Sequence, residues 1–207
     1  SSDLFQKMKQ GVNISSTVSK ILVGITSLFF CFSLATPEVM RLYAAKEYQE
    51  AIYVVPLVVE GMLATWITQL FLNVEYYYEK NKVMSFSSIV SAVLNIGLNA
   101  VFIPRYGYIA AAYTTLVCFG LNMVLHGFVA SSLCRSQKEV KPFNIGVIVV
   151  CFLLSVFGMI ISSMLFMHPL SRYIVMATVL ILIGVYFKTD IKMYCSTIVR
   201  KRRDKKS

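Results

Sequence analysis

Charge is scarce in this chain, and acid is scarcer still. Only 14% of the 207 residues are charged, with 10 Asp and Glu against 20 Lys and Arg, and there are 2 His and 1 Trp. A soluble domain carries about 25% charged residues. So low a share, beside 57% apolar residues and a mean hydropathy of +0.68, excludes that class and points to an integral membrane protein. Enzymatic signatures are also missing: no Walker phosphate loop, no glycine-rich dinucleotide fingerprint, no nucleophile elbow and no His pair at metalloprotease spacing. Neither catalysis nor a bound cofactor is therefore expected. Of the 5 cysteines, Cys31, Cys118 and Cys151 fall in apolar runs, whereas Cys134 and Cys195 fall beside basic stretches. None has the spacing of a metal site or disulfide framework, so reduced thiols and no metal are expected.

Long apolar runs are what the sequence does have. Six are of spanning length or close to it, at 18–36, 53–74, 83–103, 109–133, 145–167 and 173–187. The last, of about 15 residues, is short for a span and needs snorkelling at its ends. Lys7, Lys9, Lys20, Lys80, Lys82, Arg135, Lys138, Lys141 and the basic residues from Lys188 to Lys206 fall on one side of such a bundle. Arg41, Lys46, Arg105 and Arg172 fall on the other. The positive-inside rule then places both ends in the cytoplasm. The expected fold is all-α, a six-helix polytopic membrane bundle over 1–187 followed by a basic cytoplasmic tail at 188–207. The net charge of +10 could suggest a nucleic-acid partner, but it lies in loops and tail, where it serves topology and attraction to anionic membrane lipid. Ser1-Ser2-Asp3 lacks an initiating Met and the order of a signal peptide, so an upstream part is expected.

Between the third and fourth runs lies Asn95-Ile-Gly-Leu-Asn99-Ala-Val-Phe-Ile103-Pro104-Arg105-Tyr106-Gly107-Tyr108, followed by Ile109-Ala-Ala-Ala112-Tyr113. Pro and Gly punctuate here, which predicts a helical hairpin with a turn of about four residues at 104–107. A second stretch is Ala35-Thr-Pro37-Glu38-Val-Met-Arg41, leading through Tyr48 to Ala51. Together these resemble the C-terminal region of bacterial polysaccharide flippases, members of the multidrug/oligosaccharidyl-lipid/polysaccharide exporter superfamily. The resemblance covers roughly residues 18–187. It implies the C-terminal half of a larger inner-membrane transporter that flips undecaprenyl-diphosphate-linked oligosaccharide by alternating access, with the N-terminal half of the same transporter as partner.

Polar side chains inside the runs are the candidates for a substrate path. Glu60 stands out as the one acid well inside a span, about 10 Å below the outer boundary by helical rise. An intramembrane carboxylate is a protonated acid, a paired ion or part of a wet path. Asn95 and Asn99, four residues apart, share a helix face with Ser88 and Ser91 and sit at the depth of Glu60. That stripe either glues helices together or lines a cavity. Trp66 and Gln69 follow Glu60 along the second span, with Trp66 either packed in the bundle or stacked on a sugar. Asn122 and His126, again four apart, lie in the other half of the fourth span, where His126 is a satisfied core residue or a proton relay. Since no Lys or Arg is mid-span, the charge that meets a phosphate is left either to the expected other half of the transporter or to Arg41 and Arg105 at the outer rim. Two alternatives stay open: a cation-coupled multidrug exporter of the same superfamily, which favours several intramembrane acids where only Glu60 is evident, and a membrane scaffold subunit with no transport path.

Overall fold

The computed structural model describes residues 14–136 and 142–204, with side chains through Lys188 other than that of Glu50. All regular structure among these residues is helical. In chain order it comprises α1 (Ser15–Leu34), α2 (Thr36–Tyr43), a 3-10 helix (Lys46–Tyr53), α3 (Val55–Tyr77), α4 (Asn81–Tyr106), α5 (Tyr108–Ser136), α6 (Ile145–Leu165) and α7 (Pro169–Asp204). Six of these are long and apolar enough to cross a membrane, one for each apolar run. The reason is elementary: in hydrocarbon every backbone N–H and C=O must be paired within its own segment, and a helix does that.

Three details depart from the sequence expectation. The turn expected at 104–107 shrinks to Gly107 alone, because α4 continues through Pro104 to Tyr106. Gly107 has φ +72°, which glycine adopts without a Cβ penalty, and its N–H donates to Ile103 O at 2.9 Å. The sixth span is not short: Pro169–Lys188 provides 20 residues. Proline pre-sets the φ of a first helical turn, so the helix begins at Pro169, four residues ahead of the apolar run at Tyr173. Its backbone runs on as helix to Asp204, through most of the stretch expected to be a tail. The connection at 37–52, which the apolar runs leave outside the spans, folds into α2 and the 3-10 helix, where Gln49 Nε2 donates to Met40 O and Ala44 O, each at 3.0 Å. Lys7, Lys9, Lys138, Lys141 and residues 205–207 fall outside the described residues.

Side-chain pairings fix the helix directions. Gly61 faces Phe119 and Phe71 faces Gly127, so α3 and α5 run parallel. Glu60 meets Ser155 while Phe71 meets Phe143, so α3 and α6 run antiparallel. Gly24 meets Phe187 and Glu38 meets Arg172, which makes α1 and α7 antiparallel. The start of α1 and the end of the α7 span therefore lie at one end of the bundle. At its centre is α3: half of its span is buried, against 6% for α4 and for α7, which identifies those two as peripheral. Leu63, Ile67 and Phe71 of α3 join Leu22 of α1, Met123 of α5 and Ile148 of α6 in the main core cluster.

Lipid tails are as apolar as leucine, so helices in a membrane associate by close packing and hydrogen bonds rather than by escape from water. Here the close approach is made by phenylalanine rings seated on glycines. A Cβ added to Gly127 would stand 3.0 Å from the Phe71 ring, and one on Gly158 would stand 2.8 Å from the ring of Phe30. Overpacking of this kind costs about 1–3 kcal/mol. Replacing Gly158 by Val is thus expected to lower the melting temperature of the detergent-solubilised protein, whereas Gly97→Ala, with nothing within 4 Å of the added carbon, should leave it unchanged. Thermal unfolding followed by size-exclusion chromatography checks this.

Candidate functional site

Buried polar groups gather at four places among the described residues. In the first turns of α3, Glu60 is 4% exposed and lies between α3 and α6, where Ser155 Oγ approaches its Oε1 at 2.6 Å. The same hydroxyl lies 2.9 Å from Phe152 O. A hydroxyl has one proton to give. When Glu60 is ionised, Ser155 donates to it; when Glu60 is protonated, the carboxyl donates to Ser155 Oγ and the hydroxyl turns to Phe152 O. Both protonation states are accommodated by one rotation.

At the far end of the same helix, Glu75 is fully buried, and His126 of α5 is 1% exposed. Glu75 Oε1 and His126 Nδ1 are 2.7 Å apart, within hydrogen-bond range, so one proton lies between them whichever group carries it. Glu75 Oε2 has no hydrogen-bond partner among the described residues, and neither does the buried Oδ1 of Asn122, one turn before His126.

The third place is the α4–α5 hairpin. Asn99 Nδ2 donates to Asn95 Oδ1 at 3.0 Å, Asn95 Nδ2 donates to Thr115 Oγ1 at 3.3 Å, and Thr114 Oγ1 donates to Asn99 Oδ1. The two amides and two hydroxyls therefore satisfy one another across the hairpin. The fourth is at the end where α2 meets α7. There Arg172, 2% exposed, donates through Nη2 to Glu38 Oε1, which also accepts from Tyr173 Oη. Arg172 Nε and Nη1 and Glu38 Oε2 have no partner among the described residues.

The residues picked out by sequence thus divide among interfaces instead of lining one face. Glu60 belongs to α3–α6, the asparagine pair to α4–α5, and His126 to α3–α5. Trp66 is partly buried against the core cluster. Gln69, Arg41 and Arg105 are exposed, and Asn73 Nδ2 donates to the backbone oxygen of Gln69 rather than to its side chain. Glu60 is also not the single intramembrane acid that the sequence suggested, because Glu75 is buried in the same helix. In the sequence Glu75 stands beside Tyr76, Tyr77 and Tyr78, whose rings suit a membrane interface, and so it resembles a residue at the edge of the span. A usable signal existed. Glu75 lies 20 residues into α3 and His126 lies 18 residues into the parallel α5, so helical rise puts both about 27–30 Å along their helices. Among the described residues, no group of three or more His, Cys, Asp or Glu is placed to hold a metal ion.

Comparison with known proteins finds a distant likeness. The chain is 24% identical over 119 residues, 58% of its length, to the probable low-salt glycan biosynthesis flippase Agl15 of Haloferax volcanii; those residues cover 25% of that protein. No protein-family model and no solved structure matches the chain. With its six potential spans and this distant likeness to a flippase, the chain is a multi-pass membrane protein.

Removing one partner of a buried hydrogen-bonded pair leaves the other unsatisfied at a cost of about 1–3 kcal/mol or more, whereas replacing both by apolar residues is often nearly neutral. Glu75→Leu and His126→Leu are each expected to destabilise the protein strongly, and the double variant to melt near the wild type. A double-mutant cycle of melting temperatures measures the coupling. By contrast, Asn99→Ala is expected to cost only about 0.6–2 kcal/mol, the range for interhelical hydrogen bonds in membranes.

Proposed function

We propose that this chain is a helical lobe of a transporter that flips lipid-linked oligosaccharide across the plasma membrane for glycan or surface polysaccharide biosynthesis, and that it acts without enzymatic chemistry of its own. The observation that carries this reading is the likeness to a glycan biosynthesis flippase over more than half of the chain. The hairpin residues Asn95, Asn99 and Gly107 agree with it, as they are the ones that resemble bacterial polysaccharide flippases. In that family the carrier is undecaprenyl diphosphate and the membrane is the bacterial inner membrane; both are proposed for this chain, as is a second lobe completing the path. The physical need is plain. A glycan crossing hydrocarbon alone forfeits its hydration, at a cost of several kcal/mol for each unpaired polar group, and a transporter supplies substitute partners.

Within this reading Glu60 is the coupling group, since its contact with Ser155 serves both protonation states. Cells lacking the intact gene are expected to accumulate lipid-linked oligosaccharide on the cytoplasmic leaflet and to lose the surface glycan. Complementation with Glu60→Gln should restore membrane insertion but not transport, because Gln keeps the hydrogen bond to Ser155 and cannot exchange a proton. Asn95→Ala should lower transport more mildly. Leaflet-resolved assay of the oligosaccharide lipid decides: full export by both variants would remove these residues from the path.

A second reading gains from the burial of Glu75. Two intramembrane acids, Glu60 and Glu75, suit a cation-coupled exporter of organic cations better than one does. Transport of a fluorescent organic cation into vesicles bearing the intact protein, driven by an imposed proton gradient, separates the two. Uptake that is abolished by Glu75→Gln, together with normal glycan export in the deletion strain, would favour the exporter.

A further inference from the structure

Helices α5 and α6 follow one another in the chain, yet each packs on α3 and they part between them. The gap is a cavity of about 680 Å³ whose lining includes Phe71 of α3, Gly120, Gly127 and Arg135 of α5, and Val149 and Phe152 of α6. Phe71 forms its floor. Gly120 borders open space, since a Cβ there would meet nothing within 4 Å. Among the described residues the cavity lining is almost wholly apolar, with one cation, Arg135, at one end beside Ser132.

From this geometry we infer that the α5–α6 groove is a binding site for one anionic phospholipid, with an acyl chain along the groove and the phosphate at Arg135. Depth supplies the first support. Helix α5 has 29 residues, about 43 Å of rise, and a bilayer core is about 30 Å thick. Arg135, one residue from the end of α5, therefore stands beyond the hydrocarbon at the level of lipid phosphates. Gly120, about 22 Å back along the helix, stands near the bilayer midplane. On α6 the lining runs only from Ile145 to Leu153, about 12 Å. The groove thus spans one leaflet, the reach of an ordinary acyl chain, and not both leaflets as a long polyisoprenyl chain would need.

Charge supplies the second support. Arg135, the guanidinium among the described lining residues, is exposed and able to take the phosphate of a phosphodiester through two parallel N–H donors. Basic pockets between membrane helices recognise anionic head groups in this way. The site needs only that the protein spans a membrane, so it stands or falls separately from the flippase reading.

Native mass spectrometry of the intact protein, taken from nanodiscs of palmitoyl-oleoyl phosphatidylglycerol and phosphatidylcholine in equal parts, tests this. One phosphatidylglycerol per chain is expected to be retained in preference to phosphatidylcholine. Arg135→Ala should weaken retention about fivefold, equivalent to the ~1 kcal/mol that a basic residue contributes near an anionic surface. Arg135→Lys, which keeps the charge but not the paired donors, should restore part of it, and Val149→Trp, which fills the groove at an exposed position, should abolish it with the head-group charge left in place. Arg135 is itself exposed, so its variants are expected to fold even if Val149→Trp does not. Equal retention of the neutral lipid, unchanged retention in Arg135→Ala, displacement of phosphatidylglycerol by a polyisoprenyl diphosphate, or crosslinking of Val149→Cys to another helix in place of lipid would each overturn the inference.

Discussion

Two apolar helices in a lipid bilayer gain nothing by hiding their surfaces from each other, and this bundle depends on that constraint. What remains to hold it together is fit and the pairing of polar groups. Both are concentrated on α3. Its small residues and its aromatic ring meet α5 twice, at Gly61 with Phe119 and at Phe71 with Gly127. Its two acids reach two different neighbours, Ser155 of α6 and His126 of α5. By contrast, α4 has only Met84 and Ser87 buried, and it is held to the bundle through its hairpin partner. A helix with so little buried surface needs polar attachment, and the Asn95, Asn99, Thr114 and Thr115 network is that attachment.

Much of the fold was legible in the sequence, because the signal for a spanning helix is local. About 20 apolar residues without charge describe a segment whatever it packs against, and all six segments were recognisable. The errors came where geometry depends on single residues. Pro104 reads as a helix stop, yet in the last turn of α4 the helix carries on to Tyr106. Pro169 reads as a loop residue, yet it begins a helix. In both cases proline's fixed φ is compatible with helix, and its effect depends on the position it occupies within the segment.

The candidate site was legible only in part, for a different reason. Sequence shows which polar residues are in the membrane but not which interface each one faces. Glu60 was visible as an isolated acid, whereas its partner Ser155 is one hydroxyl among several in α6. Glu38 and Arg172 are 134 positions apart and fall outside the apolar runs, yet together they tie α2 to the first turns of α7. Rotation about the helix axis decides such pairings. Periodicity fixes it poorly when a segment is apolar all round, as a membrane helix is.

The single-residue turn at Gly107 has a mechanical consequence. With consecutive Cα atoms 3.8 Å apart, Tyr106 and Tyr108 have no slack between them, so α4 cannot shift without carrying α5. Through Phe71 on Gly127 and Glu75 on His126, α5 carries α3 in turn. Three of the six spans are thereby linked in series, and any displacement of α6 against them would fall on the contacts of Glu60 with Ser155 and of Phe71 with Phe143.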